Sequence, residues 1–95
     1  MDLWSPNTEV TENLIISIDF YYEFFLVEWS MNEQFDPVSF EIVRNGFLRE
    51  YIIKNLPLGE RCYVRVSAGN IKGFGQSVPS NPSYGVPSSL FLFLS

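Results

Sequence analysis

Chemistry is sought first in the stretch Cys62-Tyr63-Val64-Arg65-Val66-Ser67-Ala68-Gly69-Asn70-Ile71-Lys72-Gly73-Phe74-Gly75. Its second half holds Gly69, Gly73 and Gly75 around Lys72, the ingredients of a loop that aims backbone N–H groups at an anion and adds a cation. A nucleotide-binding P-loop, however, needs a Gly-Lys-Ser/Thr run that opens a helix, and a dinucleotide turn needs a helix after its glycines. Gly75 leads instead into Gln76-Ser77-Val78-Pro79, a poor helix start. The stretch therefore reads as a strand entering a hairpin loop between the last two strands, with glycines supplying positive φ.

The remaining chemistry-bearing groups are sparse. The chain has no histidine and one cysteine, Cys62, which excludes an intrachain disulfide and a Cys- or His-based metal site. A reactive thiol needs exposure and nearby positive charge. Arg61 and Arg65 flank Cys62, but strand alternation sends them to the opposite face, so Cys62 reads as a buried, inert thiol. Asp19 and Glu23 in Asp-Phe-Tyr-Tyr-Glu-Phe-Phe (19–25) could pair for acid–base work, yet no third group accompanies them. They fit a strand–loop–strand corner, with tyrosines suited to an aromatic contact patch. The expectation is a non-catalytic chain without cofactor or metal.

The elements that must position these residues are short and alternating. Strands are expected near 14–19, 24–30, 38–44, 48–55 and 61–68, with a shorter one near 7–11 and a Pro-interrupted edge strand or extended coil at 76–86. Asn45-Gly46 is a strong tight-turn signal, and no window supports a long amphipathic helix. Alternation places Leu14, Ile16, Ile18, Phe25, Val27, Trp29, Tyr51, Ile53, Leu56, Val64, Val66 and Ala68 in the core. With 95 residues, this describes one all-β domain, an immunoglobulin-like sandwich of about seven strands.

Charge is divided along the chain. All six basic residues lie at or after Arg44, and every acid except Glu50 and Glu60 lies before it. In a sandwich the two halves interleave and neutralise each other across strands. One such pair is expected between Glu28 and Arg65 on adjacent strands of the outer face. A net charge of −5 without a basic stripe disfavours nucleic acid. The first ten residues carry neither a basic region nor an apolar run, so no signal peptide is read there, and a reducing, intracellular (cytoplasmic) setting is expected.

Residues 55–77, Asn-Leu-Pro-Leu-Gly-Glu-Arg-Cys-Tyr-Val-Arg-Val-Ser-Ala-Gly-Asn-Ile-Lys-Gly-Phe-Gly-Gln-Ser, resemble the signature of a fibronectin type III domain. The resemblance rests on Leu56, Gly59, the run Val64 to Ala68, Asn70, Gly73-Phe74-Gly75 and Ser77. Phe25 to Ser30 resembles the family's third strand and Asn13 to Asp19 its second. The resemblance spans about 6–86, and its phrasing is most similar to the domain carried by ankyrin-repeat and fibronectin type III proteins. Two positions depart from the family pattern: Ile18 stands where a core tryptophan is usual, and Cys62 where the corner tyrosine is usual. The resemblance implies a protein-interaction or spacer module, part of an intracellular scaffold, with a protein partner. The alternative is an extracellular or cell-surface adhesion or receptor domain. The Arg-Gly-Asp of integrin-binding members is absent, and the one Asn-x-Ser sequence, Asn81-Pro82-Ser83, is disabled by its proline. A binding loop, where present, is expected at Ile71, Lys72 and Phe74. Leu90 to Leu94 are too few to span a membrane, and residues 87–95 are expected to form an apolar C-terminal tail rather than an extra paired strand.

Overall fold

The computed structural model describes residues 11–19, 22–87 and 91–94, with Thr11 and residues 91–94 as backbone. The expected strand at 7–11 lies outside them apart from Thr11. Eight strands follow in order: β1 Thr11–Ile18, β2 Phe24–Ser30, β3 Ser39–Val43, β4 Glu50–Pro57, β5 Cys62–Asn70, β6 Gly73–Phe74, β7 Val78–Gly85 and β8 Phe91–Leu94. Hydrogen bonding links them in the order β3-β2-β5-β7-β8-β1-β4, with β6 paired to β5 alone. The sheet folds over on itself into a sandwich whose open side lies between its outer strands, β3 and β4.

The expected alternation fills the interior. Leu14, Ile16 and Ile18 of β1 with Ile53 and Leu56 of β4 face Phe25 and Val27 of β2 and Cys62, Val64 and Val66 of β5, all buried. Trp29, Val43 and Tyr51 pack at the margin of this core. Trp29 and Tyr51 lie with ring centroids 6.5 Å apart, and the Tyr51 hydroxyl donates to Glu41 Oε2 at 3.1 Å. That contact joins β4 to β3 across the open side.

On the outer face, β2 and β5 run antiparallel with Glu28 opposite Arg65. Arg65 Nε donates to Glu28 Oε1 at 3.0 Å, and its guanidinium carbon stands 4.1 Å from the centre of the Phe35 ring. The 31–38 loop is held over this pair by Asn32, whose Oδ1 accepts from the Gln34 and Asp36 N–H groups.

The 76–86 segment is not an edge strand. β7 lies between β5 and β8, with Pro79 at the end of its first paired stretch and Pro82 in the break that follows. It pairs with β5 at Val78 and Pro79 and again at Tyr84 and Gly85, with Ser80–Ser83 out of register between them, and Asn81 pairs with Phe93. The apolar run after it is not a free tail either. Phe91–Leu94 runs parallel to Ile15–Ile18 of β1. β4 covers one side of β1, and the backbone groups on its other side need partners that β8 supplies.

The 44–49 connection crosses from one half of the sheet to the other. Asn45 accepts from Leu48 N–H at its carbonyl and from Phe47 N–H at its side chain. Arg49 fastens the connection to β1: its Nη1 donates to the Ile18 carbonyl at 2.9 Å, and its carbonyl accepts from Ile18 N–H at 2.8 Å. A Cβ on Gly46 would overlap the Tyr22 carbonyl, so backbone meets backbone there. Gly46→Ala is expected to lower stability by about 1–3 kcal/mol, the scale of forced overpacking, read from the chemical denaturation midpoint. Gly59→Ala, which meets no atom but sits at φ +81°, serves as a comparison for backbone strain without overlap. For the Glu28–Arg65 pair, a double-mutant cycle with both charges reversed is expected to show a coupling of about 0.5 kcal/mol. Additive losses would contradict the pairing.

Candidate functional site

Three segments meet at one end of the sandwich: Tyr22 and Glu23 before β2, residues 44–49 after β3, and the turn after β5. The pairings Phe24 with Gly69 and Phe25 with Val43 bring the strand ends level. A groove of about 720 Å³ opens there, lined by Tyr22, Glu23, Arg44, Asn45, Gly46, Phe47 and Asn70.

The expected loop residues sit at this end. β5 and β6 form a tight hairpin in which Gly69 pairs with Phe74 and Asn70 with Gly73, leaving Ile71 and Lys72 at its tip. Asn70 Oδ1 accepts from Lys72 N–H at 2.8 Å, and the Ala68 carbonyl accepts from Gly75 N–H at 2.8 Å. Gly73 has φ +123°, a conformation open to glycine alone without strain. Ile71 is 89% exposed. Phe74 is exposed, and its ring lies over Gly69, where a Cβ would overlap it. Phe74 thus closes the hairpin over β5, while Ile71 and Lys72 project at its tip and Asn70 connects it to the groove.

Sequence reading did not single out Phe47 or Arg44. Phe47 is 80% exposed, a large aromatic held out by the turn at Asn45-Gly46. An apolar residue directly after a tight-turn dipeptide was the available signal. The Arg44 guanidinium carbon stands 5.7 Å from the Phe24 ring centre, which steadies the cation beside the groove. Tyr22 is the described member of the aromatic patch expected in 19–25, and Glu23 lines the groove beside it. This end combines exposed apolar side chains with cations and one acid.

Cys62 is buried in the core opposite Gly85. Burial pushes its thiol up to about 11, away from the thiolate a nucleophile needs. Tyr63 points to the other face, against the Tyr84 ring at 5.5 Å, and does not replace a corner tyrosine. Among the described residues no group of three or more acidic or sulfur side chains gathers to hold a metal, and no helix is long and apolar enough to cross a membrane.

The strands form a β-sandwich of the fibronectin type III kind with a loop-lined groove at one end. The chain is similar to the ankyrin repeat and fibronectin type-III domain-containing protein 1 of Homo sapiens, with 38% identity over 64 residues. It is also similar to its Mus musculus counterpart, with 36% identity over 64 residues. The match covers 66% of this chain but only 6% and 5% of those proteins, so the chain corresponds to a small part of their length. No family model matches the chain, and no solved structure does.

The raised Cys62 pKa has a consequence for stability. Below about pH 9, the ordinary thiol value, Cys62 is protonated both folded and unfolded and its contribution is fully present. Between 9 and about 11 only the unfolded thiol ionises, so stability falls as pH rises, by about 1–2 kcal/mol. Tyr51, pushed up to about 12 by burial and by Glu41, adds a separate loss above pH 10. Cys62→Ala is expected to flatten the fall between pH 9 and 10 without removing the later one, measured by urea unfolding at stepped pH.

Proposed function

We propose that this chain is a non-catalytic protein-interaction module of an intracellular scaffold, and that it binds through the loop end of the sandwich. The convergence of Tyr22, Arg44, Phe47, Ile71 and Lys72 at one end carries this reading, since aromatic and apolar anchors beside a cation are what a protein contact requires. The relatives support it by their names, which join fibronectin type III domains to ankyrin repeats. The reducing setting is supported by the absence of disulfides and of a usable glycosylation sequence in this chain.

The test places a photo-crosslinking amino acid at position 47 or 71 of the chain expressed in cells, with position 58, also exposed, as the control. Phe47 and Ile71 positions are expected to capture the same cytosolic protein, with position 58 silent. Phe47→Asp is expected to reduce capture at position 71 at least fivefold. Equal capture from all three positions would remove the loop end as the site. Capture of secreted or membrane-ectodomain proteins alone would favour the cell-surface alternative.

A further inference from the structure

The two outer strands of the sheet are guarded unequally. A bare strand edge presents alternate N–H and C=O groups to any chain that comes alongside, and proteins blunt it with lysine, proline or a bulge. β4 has all three kinds of protection: exposed Lys54, Asn55 at φ +60°, and Pro57 at its end. β3 has neither proline nor lysine nor arginine in its five residues, and it runs in unbroken register with β2 from Ser39 to Val43.

Its outer face is apolar. Phe40 is 62% exposed, and Val38 and Ile42 are exposed on either side of it. Its charge is of one sign: Glu33 and Asp36 precede it, Glu41 lies within it, and no base occurs before Arg44. Glu41 faces the open side of the sandwich, bonded to the Tyr51 hydroxyl, with Lys54 on the far wall of the same opening.

We propose that β3 is an acceptor for strand addition, and that the partner is an extended peptide segment alternating apolar residues with Lys or Arg. Backbone hydrogen bonds to the free side of β3 would supply the pairing, and alternate side chains the selectivity. Apolar residues would lie beside Phe40 and Ile42, and a basic residue would lie opposite Glu41, with a second toward Asp36. Arg44 closes the other end, so the basic residues belong at the Ser39 side. This surface is separate from the loop end and does not depend on it.

The test titrates the ¹⁵N-labelled 95-residue chain with a synthetic peptide of alternating valine and lysine or arginine. Amide shifts are expected to centre on residues 38–43, with slowed hydrogen exchange along β3. Glu41→Gln keeps an oxygen for the Tyr51 hydroxyl while removing the charge, and is expected to weaken binding about threefold, the scale of one exposed ion pair. Phe40→Ser, at an exposed position, is expected to weaken it about fivefold, as loss of an apolar contact does. The same peptide with glutamate for its basic residues is expected not to bind. The proposal is overturned by an absence of shifts at 38–43, by equal binding of the acidic peptide, or by shifts centred on 22–23, 44–47 and 70–72. Protection of β3 amides by dimer formation without peptide would also overturn it, by assigning the edge to a second copy.

Discussion

The register of β2 on β5 is the constraint on which the rest of this structure depends. Side chains alternate along a strand, so a slip of β2 by one residue against β5 would exchange its two faces. Phe25 and Val27 would leave the core, and Glu28 would enter it as a charge away from water and from Arg65. The apolar face and the ion pair therefore select the same alignment, one by burial and the other by the cost of burying charge. With that alignment set, β3 and β7 are placed on either side of the pair, and the strand ends that carry the loops come level. The small margin of a domain this size leaves little room for a competing register.

Much of this was legible in the sequence where one side of a strand is wet and the other dry. The runs at 14–19, 24–30 and 61–68 alternate, and of the expected core Leu14, Ile16, Ile18, Phe25, Val27, Ile53, Leu56, Val64 and Val66 are buried, whereas Trp29, Tyr51 and Ala68 are only partly buried and Ser30 and Ser67 are buried beside them. The Glu28–Arg65 pairing followed from the same alternation. The prolines at 79 and 82 misled, because a proline weakens a strand only where its missing N–H would be used. Here the ladder is already broken between Pro79 and Tyr84. The apolar run at 90–94 misled for a related reason. Its five apolar residues have no alternation to declare a face, and nothing local states that β1 has a side to be covered. The groove was illegible because its walls come from three separate segments, and only the fold brings residues 22, 44–47 and 70 together.

The loop end and the β3 edge differ in the kind of recognition they can support. The loop end presents side chains from turns whose backbones are tied by their own hydrogen bonds, at Asn45, Asn70 and Arg49. A contact there reads shape and surface chemistry. The β3 edge presents backbone, and selects by periodicity and charge. The two lie on different parts of one rigid sheet, and neither asks the core to rearrange. Ile18 and Cys62, the two positions at which the sequence departs from the pattern it resembles, are both buried among apolar side chains, and Trp29 packs on Tyr51 at the margin of that core.

The division of charge along the chain also orders events during synthesis. Glu28 and Arg65 are 37 residues apart, and β2 can bury its apolar face only when β5 exists. Until then residues 1–43, made before β5, carry acids and no bases. Like charges repel, which opposes association of this apolar-rich segment with further copies of itself. The basic residues arrive with the strands that complete the sandwich, so neutralisation and burial occur together. The acidic half thus acts as its own solubilising agent for as long as it has no partner, and loses that role on folding.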